Sequence, residues 1–115
     1  MSDQMLIQGN VAGSVNEYYV AQALDRMKLE YIYQYWFRGG MIRGGQVIDF
    51  LVQKPPRPIP LQVQGGYWHS AQQDPERAMK NAEIAQEFGE VKEIWEDECQ
   101  DVDMAYSWLM ENIGV

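Results

Sequence analysis

The sequence predicts a three-layer α/β/α domain with a mixed central sheet. Periodic segments follow in the order helix, strand, strand, strand, helix, strand, helix, the signature of helices packed on both faces of a sheet. A chain of 115 residues holds one hydrophobic core and not two. Its 46% hydrophobic and 23% charged composition is that of a packed globule and excludes a wholly disordered chain. Residues 1–13 show no periodic pattern, so an N-terminal extension is expected before a single domain at 14–115.

The first helix starts after Gly13, with Ser14 as N-cap and Val20, Leu24 and Met27 on one side, and runs to about Lys28. Glu17 stands in line with that stripe. An acid there faces the domain body and needs a proton, a partner or a metal, unless it is simply a first-turn acid on the helix dipole. Residues 30–37 alternate tyrosines at 31, 33 and 35 and read as a strand in which those rings pack the sheet.

Arg38-Gly39-Gly40 and Arg43-Gly44-Gly45 repeat at a spacing of five in the connection that follows. The next strand spans Gln46 to Gln53, and its apolar run is interrupted only by Asp49. A carboxylate inside a buried strand is costly, so Asp49 is either a functional ligand or a hydrogen-bonded buried acid.

Lys54-Pro55-Pro56-Arg57-Pro58 cannot continue the ladder and is a stiff connection to a strand at Ile59 to Gln64. Gln62 and Gln64 share one face of that strand, because side chains alternate with period two. Gly65-Gly66 and Tyr67-Trp68-His69 follow. Asp74-Pro75 starts a helix that ends at Phe88-Gly89, with Ala78, Ala82 and Ala85 expected to face the sheet. Val91 to Trp95 reads as a short strand, and a last helix carries the stripe Val102, Tyr106, Leu109 and Ile113.

Nine basic and seventeen acidic residues give a net charge of −8, which argues against a protein that coats nucleic acid. The charge is divided. Residues 1–60 hold six basic groups and five acids, a balance of +1, and residues 61–115 hold three and twelve, a balance of −9. The lone Cys99 excludes an intrachain disulfide and a cysteine-built zinc cluster. No apolar run reaches membrane-spanning length and the start lacks a basic n-region, so a cytoplasmic, intracellular protein without a membrane partner is expected.

Asp49 on one strand and Gln62-Val63-Gln64 on the next place oxygen donors at one end of a sheet, and Glu17 can join them from a helix. Hard divalent cations take such a set, and the bound ion can activate water against a phosphodiester. Asp49, the Gln62-x-Gln64 strand and Glu17 resemble the PD-(D/E)XK, or restriction-endonuclease-like, nuclease core. Gly65-Gly66-Tyr67-Trp68-His69 is similar to the run after the catalytic strand in the very short patch repair endonucleases, and Val91 to Glu96 is similar to their late strand. The likeness covers most of residues 14–113. The order Glu17, Asp49, His69, Asp74 also resembles the acid, acid, histidine, aspartate series of homing endonucleases in that branch.

The resemblance implies a DNA endonuclease or nickase dependent on Mg²⁺ or Mn²⁺. Asp49 would be the central metal ligand, Glu17 a water-bridged one and the Val63 carbonyl a third. His69 would act as general base or stabilise charge at the phosphate. Two departures stand out: the usual acid and lysine of the signature are Gln62 and Gln64, and the repair enzymes' structural zinc cannot be built. A catalytically degenerate module that binds DNA structures or protein partners is the alternative. His69 can equally cap the next helix against Trp68, and Asp74 is accounted for by capping. Arg38, Arg43, Lys54 and Arg57 are the available phosphate contacts, or else solvated turn residues. A weak homodimer is expected, since one small site cutting both strands needs a second copy.

Overall fold

The computed structural model describes residues 4–37, 46–65 and 75–114. It begins with a hairpin of β1 (Leu6–Ile7) and β2 (Asn10–Val11), turned at Gln8-Gly9 with φ of 51° and 83°. Two successive positive φ angles match the twist of a two-residue hairpin, and glycine takes one of them without strain. Ile7 is buried in the main core, so part of the expected extension is packed structure. Two-residue strands leave no periodic trace in a sequence.

Helix α1 (Val15–Arg26) starts where capping chemistry places it, with the Ser14 hydroxyl accepting the Glu17 N–H at 3.1 Å. Strands β3 (Glu30–Phe37), β4 (Gln46–Gln53) and β5 (Ile59–Gln64) follow, then α2 (Pro75–Phe88), β6 (Lys92–Trp95), a 3₁₀ turn at Glu96–Glu98 and α3 (Val102–Asn112). The four-stranded sheet has the order β3-β4-β5-β6. Its first three strands are antiparallel and β6 pairs parallel to β5, so the sheet is mixed as expected.

Two cores make three layers. On one face α1 and α3 bring Val20, Leu24, Ala105 and Leu109 onto Tyr31, Tyr33, Phe50, Val52, Leu61 and Ile94. The Phe50 ring lies near those of Tyr31 and Tyr33, with centroids 5.4 and 5.1 Å away. On the other face α2 presents Ile84 to Ile48 and Leu51, flanked by Tyr35, Phe88 and Val91. The alanine face expected of α2 is not the buried one: Ala78 and Ala82 are exposed, and Ile84 carries the packing. Alanine is favoured on a helix surface by propensity alone, which is why its spacing misleads. Among the described residues no helix is long and apolar enough to cross a membrane.

Two irregularities in the sheet matter for the site. The β4–β5 ladder pairs Val52 with Ile59, Leu51 with Pro60 and Phe50 with Leu61, and has no registered pair beyond them. The strands therefore open at Asp49 and Gln62. In β3, Tyr33 faces Phe50 in the larger core while Tyr35 faces Ile48 in the smaller one, although residues two apart normally share a face. Gln34 lies between them, opposite Asp49, at a left-handed φ of 57° that reverses the strand's faces.

Candidate metal centre at an opened strand pair

Where the β4–β5 ladder stops, side chains take over its hydrogen bonds. The Val63 N–H donates to Asp49 Oδ2 at 2.8 Å. In return the Gln62 amide behaves like a strand segment: its Oε1 accepts the Asp49 N–H at 2.8 Å and its Nε2 donates to the Val47 carbonyl at 3.3 Å. An open strand pair would otherwise leave these backbone groups without partners, a cost of about 1–3 kcal/mol each when buried.

Glu17 approaches from α1, held by a residue the sequence reading treats only as packing. The Tyr33 hydroxyl donates to Glu17 Oε1 and itself accepts the Gly13 N–H at 2.9 Å. Gly13 permits this close approach, because a Cβ there would lie 3.0 Å from Glu17 Oε1 and would push the carboxylate aside. Burial, the bond to Glu17 and the charges of Glu17 and Asp49 push the Tyr33 hydroxyl up to about 12, so it stays a proton donor at neutral pH.

Asp49 is raised to about 6, first by burial and further by the negative charge of Glu17, with the Val63 N–H pulling the other way. The Glu17 carboxylate thus lies close enough to oppose the ionisation of Asp49. Among the described residues each has one oxygen committed, to Tyr33 and to Val63, and one uncommitted. Two carboxylates whose charges repel, each with a remaining oxygen, fit a hard divalent cation. No group of three or more His, Cys, Asp or Glu suited to a metal occurs among the described residues, so any ion held here would draw the rest of its shell from backbone carbonyls, water or other residues.

The other expected site residues divide into four groups. Gln62 sits beside Asp49 but is bonded to its backbone, not aligned with its carboxylate. Gln64 is turned away: it alternates with Leu61 and Val63, which belong to the larger core, and donates to Glu93 Oε2 at 2.9 Å. Glu93 is in turn held by Arg77 at 2.6 Å, with both side chains largely buried, and the Arg77 guanidinium lies 5.4 Å from the Trp95 ring centroid.

Lys54 and Arg57 are at the opposite end of β4, about 17 Å along the strand from Asp49 for Lys54 at an ordinary rise per residue. Both line a shallow cavity in the proline connection. The Arg57 guanidinium also lies over Gly89, within 3.0 Å of where a Cβ would be, at the C-terminus of α2 where the helix dipole favours a cation. His69, Asp74, Arg38 and Arg43 lie outside the described residues. Cys99 is a core residue, and burial pushes its thiol up to about 12, so it is protonated at neutral pH.

Tyr33 and Gly13 are the contributors the sequence reading misses. Their signal is absent from local pattern, because Tyr33 is sixteen residues from Glu17 and its alternation is fully explained by core packing. Compared with protein families, with curated proteins and with solved structures, the chain matches none of them.

Proposed function

We propose that Glu17 and Asp49 form the divalent-cation site of a small PD-(D/E)XK-like endonuclease or nickase that hydrolyses phosphodiester bonds in DNA. One observation carries the reading: where β4 and β5 part, Asp49 is largely buried and within electrostatic reach of Glu17 from a separate element, which together raise it to about 6 in a way that a cation would relieve. Buried like-charged groups are retained at functional sites more often than elsewhere.

Mg²⁺ or Mn²⁺, when bound, supplies charge neutralisation at the phosphate and an acidified water. The chain's own contribution is positioning. Val63 fixes the Asp49 carboxylate through Oδ2, and Tyr33 fixes Glu17 through Oε1, so neither side chain must reorganise on binding. The proton from the attacking water falls to His69 in the resemblance that motivates this assignment. The setting in this reading is cytoplasmic, and a weak homodimer supplies the second strand cut.

A second reading is favoured by a specific observation. Gln62 and Gln64, at the positions where the family's signature has acid and lysine, are occupied by structural bonds to β4 and to Glu93. A domain that kept the fold and lost cleavage would look this way. The test is nicking of supercoiled and branched DNA with Mg²⁺ or Mn²⁺ by wild type and Asp49→Ala. Cleavage abolished by the substitution supports the enzyme; equal activity in both, or none in either, ends that reading and leaves the binding module.

A further inference from the structure

The reversal of β3 at Gln34 gives the site a neighbour that regular alternation would have placed on the far side. Because Tyr35 turns to the α2 face with Ile48, Trp36 and its partner Val47 return to the face that holds Tyr33 and Glu17. The Gln34 amide is on that side as well, donating to the Tyr33 hydroxyl at 3.4 Å. Trp36 is 59% exposed, the largest exposed aromatic among the described residues. Its pairing with Val47 puts it on the strand next to Asp49 and two residues further along, an offset of about 7 Å along the strand at an ordinary rise.

We propose that Trp36 is a stacking platform for the nucleobase that flanks the phosphate at Glu17 and Asp49, and that the substrate is therefore DNA whose bases are unpaired at the site. This rests on the phosphodiester reading above and names the substrate class. Bases inside a duplex are already stacked on their neighbours and must be unstacked, at an energetic cost, before an indole can reach a face, so the indole engages a base most readily where pairing is broken; every base offers it a π-face. A protein partner fits poorly. Stable interfaces cover about 800 Å² on each side around an apolar centre, whereas this ring is bordered by exposed Gln34 and half-buried Val47. A strained residue that shifts a single exposed aromatic to the sheet face holding Tyr33 and Glu17 is the kind of outlier that clusters at ligand sites.

The test is fluorescence anisotropy with the full chain in Ca²⁺, using a labelled single strand, the matching blunt duplex and the same duplex with a central unpaired loop, alongside cleavage assays in Mn²⁺. Wild type is expected to bind the single strand and the looped duplex roughly 10-fold more tightly than the blunt duplex, a step of the size base stacking supplies. Trp36→Ala should lower the single-strand affinity to the blunt-duplex level with its melting temperature preserved, and Trp36→Phe should recover most of the loss. Asp49→Ala should remove the Ca²⁺ dependence while the preference for unpaired DNA persists. If wild type shows no such preference, or Trp36→Ala keeps it, the stacking role is wrong, and Asp49-dependent cleavage in the same experiment leaves the nuclease reading in place. No binding and no cleavage with any DNA overturns both.

Discussion

The two ends of the β4–β5 pair solve opposite problems. At the proline end, Phe50, Leu51 and Val52 pair in register with Leu61, Pro60 and Ile59, and all six side chains serve one core or are largely buried. At the other end the ladder is absent, and its work is divided between a glutamine amide and an aspartate carboxylate. A closed strand pair stabilises and offers no chemistry. An open one exposes donors and acceptors that can be given to a ligand, but it must be propped, and the prop here includes a charge that burial opposes.

Substitutions that act on one end only sharpen this contrast. The largest effect belongs to the closed end: Phe50→Ala removes a fully buried ring between two tyrosines and should destabilise the domain by about 3–5 kcal/mol in urea unfolding. A loss below about 1 kcal/mol would mean that the closed end does not anchor the core.

Asp49→Asn should act at the open end with the opposite sign. The folded state raises Asp49 from 3.8 to about 6, so it holds the proton more tightly than the unfolded chain does. Stability from this group is therefore greatest below about pH 4, falls as pH rises to about 6 and is flat above, with a deficit on the order of 3 kcal/mol at pH 7. Asparagine keeps an acceptor for Val63 and removes the charge. Melting temperatures of the two proteins should agree near pH 4, and the variant should lead by several degrees at pH 7.5. A variant less stable than wild type at pH 7.5 would contradict the assignment.

Gln62→Ala tests the prop itself. It leaves the Asp49 N–H and the Val47 carbonyl without their side-chain partner, and a loss of about 2 kcal/mol is expected, with faster hydrogen exchange confined to that end of β4. The smallest effect is that of Tyr33→Phe, about 1 kcal/mol for the bonds to Glu17 and Gly13. Its informative readout is Mn²⁺ affinity by titration calorimetry, which should weaken because Glu17 is no longer held; an unchanged affinity would separate Glu17 from the metal.

Much of the layer architecture was legible because helices and strands of eight or more residues impose their own periods. Ser14, Gly89 and the stripe of α3 mark their elements in the structure as they do in the sequence. Asp49 was legible for a related reason, as the one acid in an apolar run. What the sequence concealed are contacts between side chain and distant backbone. The alternation of Gln62 and Gln64 onto one face is correct, yet nothing local reveals that one amide bridges β4 and the other meets Glu93. The left-handed turn at Gln34 is likewise invisible, since glutamine has no preference for that conformation. The alanines of α2 misled because helix propensity and burial ask for the same residue.

The glutamine at the tip of the first hairpin has a consequence for how this protein stays single or pairs. Gln8 Oε1 accepts the Tyr33 N–H at 3.0 Å and its Nε2 donates to the Tyr31 carbonyl, along the outer margin of β3. Those are the groups an incoming strand from another molecule would seize, and here they are stoppered from within the chain. Strand addition at this stretch of β3 is thereby disfavoured. Removing that one side chain would return both backbone groups to solvent and leave that part of the edge open to an incoming strand.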